Sequence, residues 1–124
     1  MDDSDKKISK DLARIIDEAN AGDPGAQYDL ALEYDPECFR GLVPPDELEA
    51  GKWYVKAAEN GHYRAQCWLG YIYEYGGYGL EKSLEKAAMW YRSALTAPYY
   101  ANGDYEARMG LIGILELMEE NDGE

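Results

Sequence analysis

The sequence predicts an all-α chain, a short right-handed superhelix of about six helices in three antiparallel pairs. One phrase occurs three times: AGDPGAQYDLALEY at 21–34, NGHYRAQCWLGYIYEY at 60–75 and NGDYEARMGLIGILEL at 102–117. Its alanines, Ala26, Ala65 and Ala107, are 39 and 42 residues apart, a period that marks arrays of stacked supersecondary units. A second phrase falls between the copies of the first. Ala50, Trp53, Tyr54 and Ala57 match Ala87, Trp90, Tyr91 and Ala94. No run alternates apolar and polar residues as a half-buried strand does.

Each repeat therefore has an A segment and a B segment, both with helical spacing. Ala65, Leu69 and Tyr73 step by four; Ala87, Tyr91 and Ala94 step by four and three. Each set lies on one helix face. Small residues alternating with large ones on such faces let helices approach and interlock. A first helix is expected over about 5–20, with Ile8, Leu12, Ile15, Ile16 and Ala19 on one stripe. It matches a B helix without an A partner and so caps the stack. Gly22 ends it, and Asp23-Pro24 starts the next with an acid at the N-cap and proline at the first helical position. That A helix runs to about Tyr34, where Asp35-Pro36 stops it. Asp46 and Glu49 form a capping-box pattern for a B helix to about Glu59, closed by Asn60-Gly61. The next pair spans about 63–75 and 84–96 around the turn GGYGLEKS. A last A helix covers about 104–119. The chain thus reads as one domain over 1–124: a capping helix, repeat one at about 22–61, repeat two at about 61–102, and a half repeat at about 103–120.

Composition narrows the function classes. The chain has 124 residues, 46% of them hydrophobic, and a net charge of −13. Those values fit a modest folded core. No apolar run approaches the roughly 18–20 residues of a membrane span, and the polar start Met-Asp-Asp-Ser-Asp-Lys-Lys lacks the apolar stretch of a secretory signal. Cytoplasmic residence is the expectation. So strong an acidic balance argues against direct nucleic-acid binding, which needs clustered Lys and Arg, and disfavours anionic membranes. It favours a basic protein partner reached by electrostatic steering. Residues 104–124 hold seven acids against Arg108. Cys38 and Cys67 are too few for a disulfide framework and read as reduced thiols. With His62 the single histidine, no metal-ligand spacing exists.

With Gly61, Ala65, Gln66, Leu69, Gly70 and Tyr73, then Gly77, Gly79 and Leu80, then Ala87, Trp90, Tyr91 and Ala94, repeat two resembles the Sel-one-like repeat, a branch of the tetratricopeptide superfamily. The resemblance covers about 20–117. The sequence departs from it at Ala31, in the longer loop 35–45, in the insertion after Leu95, and at Ile112 and Leu115. It implies a tetratricopeptide-like solenoid acting as an adaptor or scaffold, often through a concave face lined by A helices. In that family pattern the groove positions lie five and two before, and two and five after, the repeat leucine. Carried over, they are Arg64, Cys67, Tyr71 and Glu74 in repeat two. Repeat one supplies Gly25, Tyr28, Leu32 and Asp35, and the last helix Glu106, Met109, Gly113 and Glu116. These mix aromatic and apolar anchors with acids, a surface suited to a peptide or a basic helix.

Among the 12 tyrosines, Tyr54 and Tyr91 recur with the repeat, as do Trp53 and Trp90, and belong to the core. Tyr71, Tyr75, Tyr78, Tyr99 and Tyr100 follow the pattern less closely. Tyr99-Tyr100, in the insertion, and Phe39, in the long loop, are secondary binding candidates. No catalytic constellation accompanies them. His62 and Cys67 are five apart and point to different sides of a helix, and the glycines of GGYGL serve a turn rather than a phosphate cradle. The expectation is a protein-binding module with no enzymatic activity, cofactor or metal. The alternative is an acidic immunity- or antitoxin-like inhibitor that masks a basic toxin domain.

Overall fold

The computed structural model describes residues 3–38, 43–96 and 103–122. They form six α-helices: α1 (Asp3–Asn20), α2 (Pro24–Tyr34), α3 (Glu47–Glu59), α4 (Tyr63–Tyr75), α5 (Leu84–Leu95) and α6 (Gly103–Asp122), with a 3-10 turn at Pro36–Cys38. No strand occurs among the described residues. The caps at Asp23 and Asp46 are those the sequence specifies, and Ser83 adds a third. Asp23 Oδ2 accepts from the Ala26 amide at 2.8 Å with Pro24 at the helix start. Asp46 Oδ1 accepts from the Glu49 amide at 3.1 Å, and Ser83 Oγ from Lys86 at 3.2 Å. Each satisfies one of the amides a helix leaves unpaired at its start.

The capping box expected at Asp46–Glu49 closes only halfway. The Glu49 carboxylate accepts from the indole of Trp53 at 3.2 Å, and the Asp46 amide donates to the Tyr34 carbonyl at 2.8 Å. Trp53 is buried and its N–H needs an acceptor. Asp46, already bonded to the end of α2, has no amide left for Glu49 to cap.

By packing, the chain divides into two compact units, 1–62 and 63–124. In the first, α1 and α3 pack on α2, around Ala19, Ala26, Leu30, Ala31, Ala50 and Tyr54. Gln27 fastens the three. It is buried, its amide donates to the Ala19 carbonyl at the end of α1 (3.0 Å) and its oxygen accepts from Asn60 after α3 (2.9 Å). In the second unit α4, α5 and α6 pack against one another. Its core holds Leu69 and Ile72 beside a cluster of Ala87, Ala88, Tyr91, Ala94, Ala107 and Ile114. Gly70 and Gly110 explain how α5 sits so close: a Cβ on either would lie 2.7 or 2.5 Å from the Tyr91 ring. The ring is wedged against the bare backbones of α4 and α6.

The same tie closes each A–B pair. The Tyr54 hydroxyl donates to Asp35 at 2.6 Å, and Tyr91, its repeat mate, to Glu74 at 3.4 Å. Asp35 is fully buried and also accepts from the Glu37 amide at 2.9 Å. That corrects its expected place on an open groove: it is a structural acceptor at the end of α2. Burial and then the Asp35 carboxylate push the Tyr54 phenol far above its ordinary value; burial and Glu74 do the same for Tyr91.

Candidate protein-binding face

Helix α4 carries four of the expected contact residues. Arg64, at its start, is exposed, and its Nε donates to the Tyr63 hydroxyl at 3.2 Å. Cys67 is half-buried and packs on the α5–α6 cluster. Burial first, then Glu106, pushes its thiol up to about 11. This brings Cys67 and Glu106 together, one from each A helix of the unit. Glu74 is half-buried beneath Tyr91 and accepts from the Tyr75 hydroxyl, a bond that raises the Tyr75 phenol.

Tyr71 is exposed, 48% accessible, and it is not isolated. Its ring stacks on Trp68 at 5.1 Å and 9° and meets Tyr75, itself 65% exposed, at 4.9 Å and 55°. Tyr78 closes the row edge-on to Trp68 at 6.3 Å. The turn that brings it there is a hairpin-like loop in which Gly77 and Leu80 exchange backbone hydrogen bonds. Tyr78 (φ 55) and Gly79 (φ 77) are both left-handed, as a type I′ turn requires. A tyrosine there stores strain of about 1–2 kcal/mol. The result is a four-ring ledge along one side of α4. Trp68 is the member that the repeat spacing does not single out. The signal was in the sequence: residues 68, 71 and 75 are i, i+3 and i+7 on one helix face.

The remaining expected residues lie elsewhere. Glu106, Met109 and Glu116 are exposed on α6. Tyr28 and Leu32 belong to α2 in the first unit and are half-buried. The Tyr28 ring stacks on His62 at 4.4 Å and tilts against Tyr54 at 6.0 Å, so packing already occupies part of it. Phe39, Tyr99 and Tyr100 lie outside the described residues. Among the described residues no three His, Cys, Asp or Glu side chains gather closely enough to hold a metal ion, and no helix is long and apolar enough to cross a membrane.

The helical pairs α2–α3 and α4–α5 coincide with two matches to the Sel1 repeat model, over residues 24–62 and 64–98, more than half of the chain. This chain belongs to the Sel1 repeat family. Sel1 repeats are tetratricopeptide-like helical solenoids that mediate protein–protein interaction. The chain is also similar to a chitin synthase regulator, SKT5, of Saccharomyces cerevisiae, at 45% identity over 49 residues. That stretch is 40% of this chain and spans only 7% of the yeast protein.

Proposed function

We propose that this Sel1-repeat chain is a non-catalytic adaptor that binds a protein or peptide on its A-helix face, with the α4 ledge as the principal anchor. The observation that carries this reading is the exposed Tyr71, stacked on Trp68 and tilted against the exposed Tyr75. Aromatic side chains held rigid before binding supply contact area at low entropic cost. Arg64 at one end and Glu74 at the other set polar limits to the row. The yeast relative is named as a regulator of an enzyme, which fits a stretch of this kind serving to contact another protein.

The net charge of −13 favours a basic partner, and the two cysteines outside any disulfide suit the reducing cytoplasm. The same charge supports a second reading, an immunity-like inhibitor that covers a basic toxin domain. The test is co-purification of a partner with the native chain, followed by affinity measurements on Tyr71→Ala, Arg64→Ala and Tyr28→Ala. Loss of Tyr71 should weaken binding by about 1–3 kcal/mol, as for a central aromatic anchor. Unchanged affinity in all three variants overturns the assignment. The inhibitor reading further requires one tight, salt-sensitive basic partner whose activity the chain suppresses.

A further inference from the structure

Helix α6 has a second apolar face, and comparison with α4 shows what kind of element it is built to meet. Both are A helices, 42 residues apart in register, so Ile112 and Leu115 of α6 stand where α4 has Gly70 and Tyr73. In α4 those positions face α5. Gly70 lies against the Tyr91 ring, and Tyr73 packs on the α5 cluster beneath the Lys86 ammonium at 5.5 Å. In α6 no element among the described residues covers them. Ile112 is 44% exposed, Leu115 42%, and Tyr105, one helical turn-pair earlier on the same side, 69%. Ala107 and Ile114, on the opposite side, are fully buried against the unit. The exposed stripe is therefore the side of α6 that corresponds to the side of α4 covered by a helix.

Two features select the occupant. Spacing of 105, 112 and 115 forms a ridge that receives a helix. Ile112 in place of glycine fills the space that admits Tyr91 at Gly70, so the incoming helix must present small or aliphatic residues there. Charge decides the rest. Helix α6 carries Asp104, Glu106, Glu116, Glu119, Glu120 and Asp122 against one base, Arg108. A second copy of a chain at −13 meets like charge, whereas a basic helix meets complementary charge from the exposed Glu106, Glu116, Glu119 and Glu120 beside the stripe.

We propose that the Tyr105–Ile112–Leu115 face of α6 docks one basic amphipathic helix of a partner protein, a surface separate from the α4 ledge. Anisotropy titration of the full chain with a labelled 18-residue amphipathic Leu/Lys peptide, beside a scramble of the same composition, tests it. The Ile112→Ser/Leu115→Ser variant, which leaves the charge unchanged, should bind the amphipathic peptide at least tenfold more weakly, and Leu48→Ser, at an exposed leucine of α3, within twofold of the native chain. The scramble should bind no better than the double variant does. Amide shift mapping on the unaltered chain reads the same site without substitution: the peptide must move the Ile112 and Leu115 resonances more than that of Tyr71. Equal binding by the double variant, equal binding of the scramble, or shifts centred on α4 overturn the proposal. So does sedimentation of the native chain as a dimer that Ile112→Ser/Leu115→Ser dissociates, since the face then belongs to a second copy.

Discussion

At the scale of single residues, the Tyr54–Asp35 bond shows how a polar pair can specify a helical join. Asp35 is fully buried and takes its protons from the Tyr54 hydroxyl and the Glu37 amide. Tyr54→Phe removes a donor from a buried carboxylate, and a hydrogen bond to a charged group is worth about 1.5–3 kcal/mol. Denaturant unfolding should show a loss of that size. The same bond predicts a pH response. In the unfolded chain a tyrosine ionises near about 10, while in the fold Tyr54 holds its proton to much higher pH. The unfolded chain then binds fewer protons, so stability is intact below pH of about 10 and falls as pH rises beyond it. Tyr54→Phe should make that alkaline decline shallower but not abolish it, because Tyr91 is held in the same way. Cys67 gives a second residue-scale outcome. With its thiol pushed up to about 11 by burial and Glu106, little of it is thiolate at pH 8. The thiolate is the reactive form. Iodoacetamide at pH 8 should modify the exposed Cys38 first, and a Cys38→Ser variant should react at least tenfold more slowly than the native chain.

Among the helices, three glycines separate packing from propensity. Gly70 and Gly110 both press on the Tyr91 ring, from α4 and from α6, while a Cβ at Gly113 would meet nothing within 4 Å. Alanine at any of the three gains up to about 1 kcal/mol of helix propensity. At 70 and 110 it must also displace a ring held from two sides, an overpacking cost of about 1–3 kcal/mol. Thermal unfolding should therefore show Gly70→Ala and Gly110→Ala less stable than the native chain, and Gly113→Ala more stable by about 0.5–1 kcal/mol. These contrasts also mark what the sequence makes legible. The starts at Asp23 and Asp46 were readable because these acids cap by local chemistry that needs no tertiary partner. Recurrence of Ala26, Ala65 and Ala107 made the A–B pairing readable. The partnership of Tyr54 with Asp35 was not, since it joins positions 19 apart and a tyrosine in a periodic core position looks apolar in a pattern. Nor was the half-open capping box, because Glu49 chose the Trp53 indole, a contact fixed only once α3 packs. For the candidate face, Tyr71 comes from the repeat register and Trp68 from its i, i+3, i+7 spacing with Tyr71 and Tyr75, whereas the left-handed Tyr78 takes its place from how the turn folds back.

For the whole molecule, charge acts on folding and on binding with opposite signs. The chain has 25 acids and 12 bases, and ion pairs such as Arg14–Glu18 and Lys52–Glu49 lie at the surface and are worth little. Like charges therefore repel more in the compact state than in the expanded one. Salt shortens the reach of that repulsion from about 10 Å at 0.1 M to about 3 Å at 1 M. Raising sodium chloride should stabilise the fold, by about 1 kcal/mol, which for a chain of this size is a rise of roughly 3–6 °C in Tm. The same screening should weaken capture of a basic partner, mainly by slowing association. Calorimetry and binding kinetics on one salt series thus read two opposite slopes. If Tm rises while association does not slow, the acidic surface serves solubility and the partner is not basic. If association slows while Tm stays flat, the acids that attract the partner are spaced too widely to strain the fold.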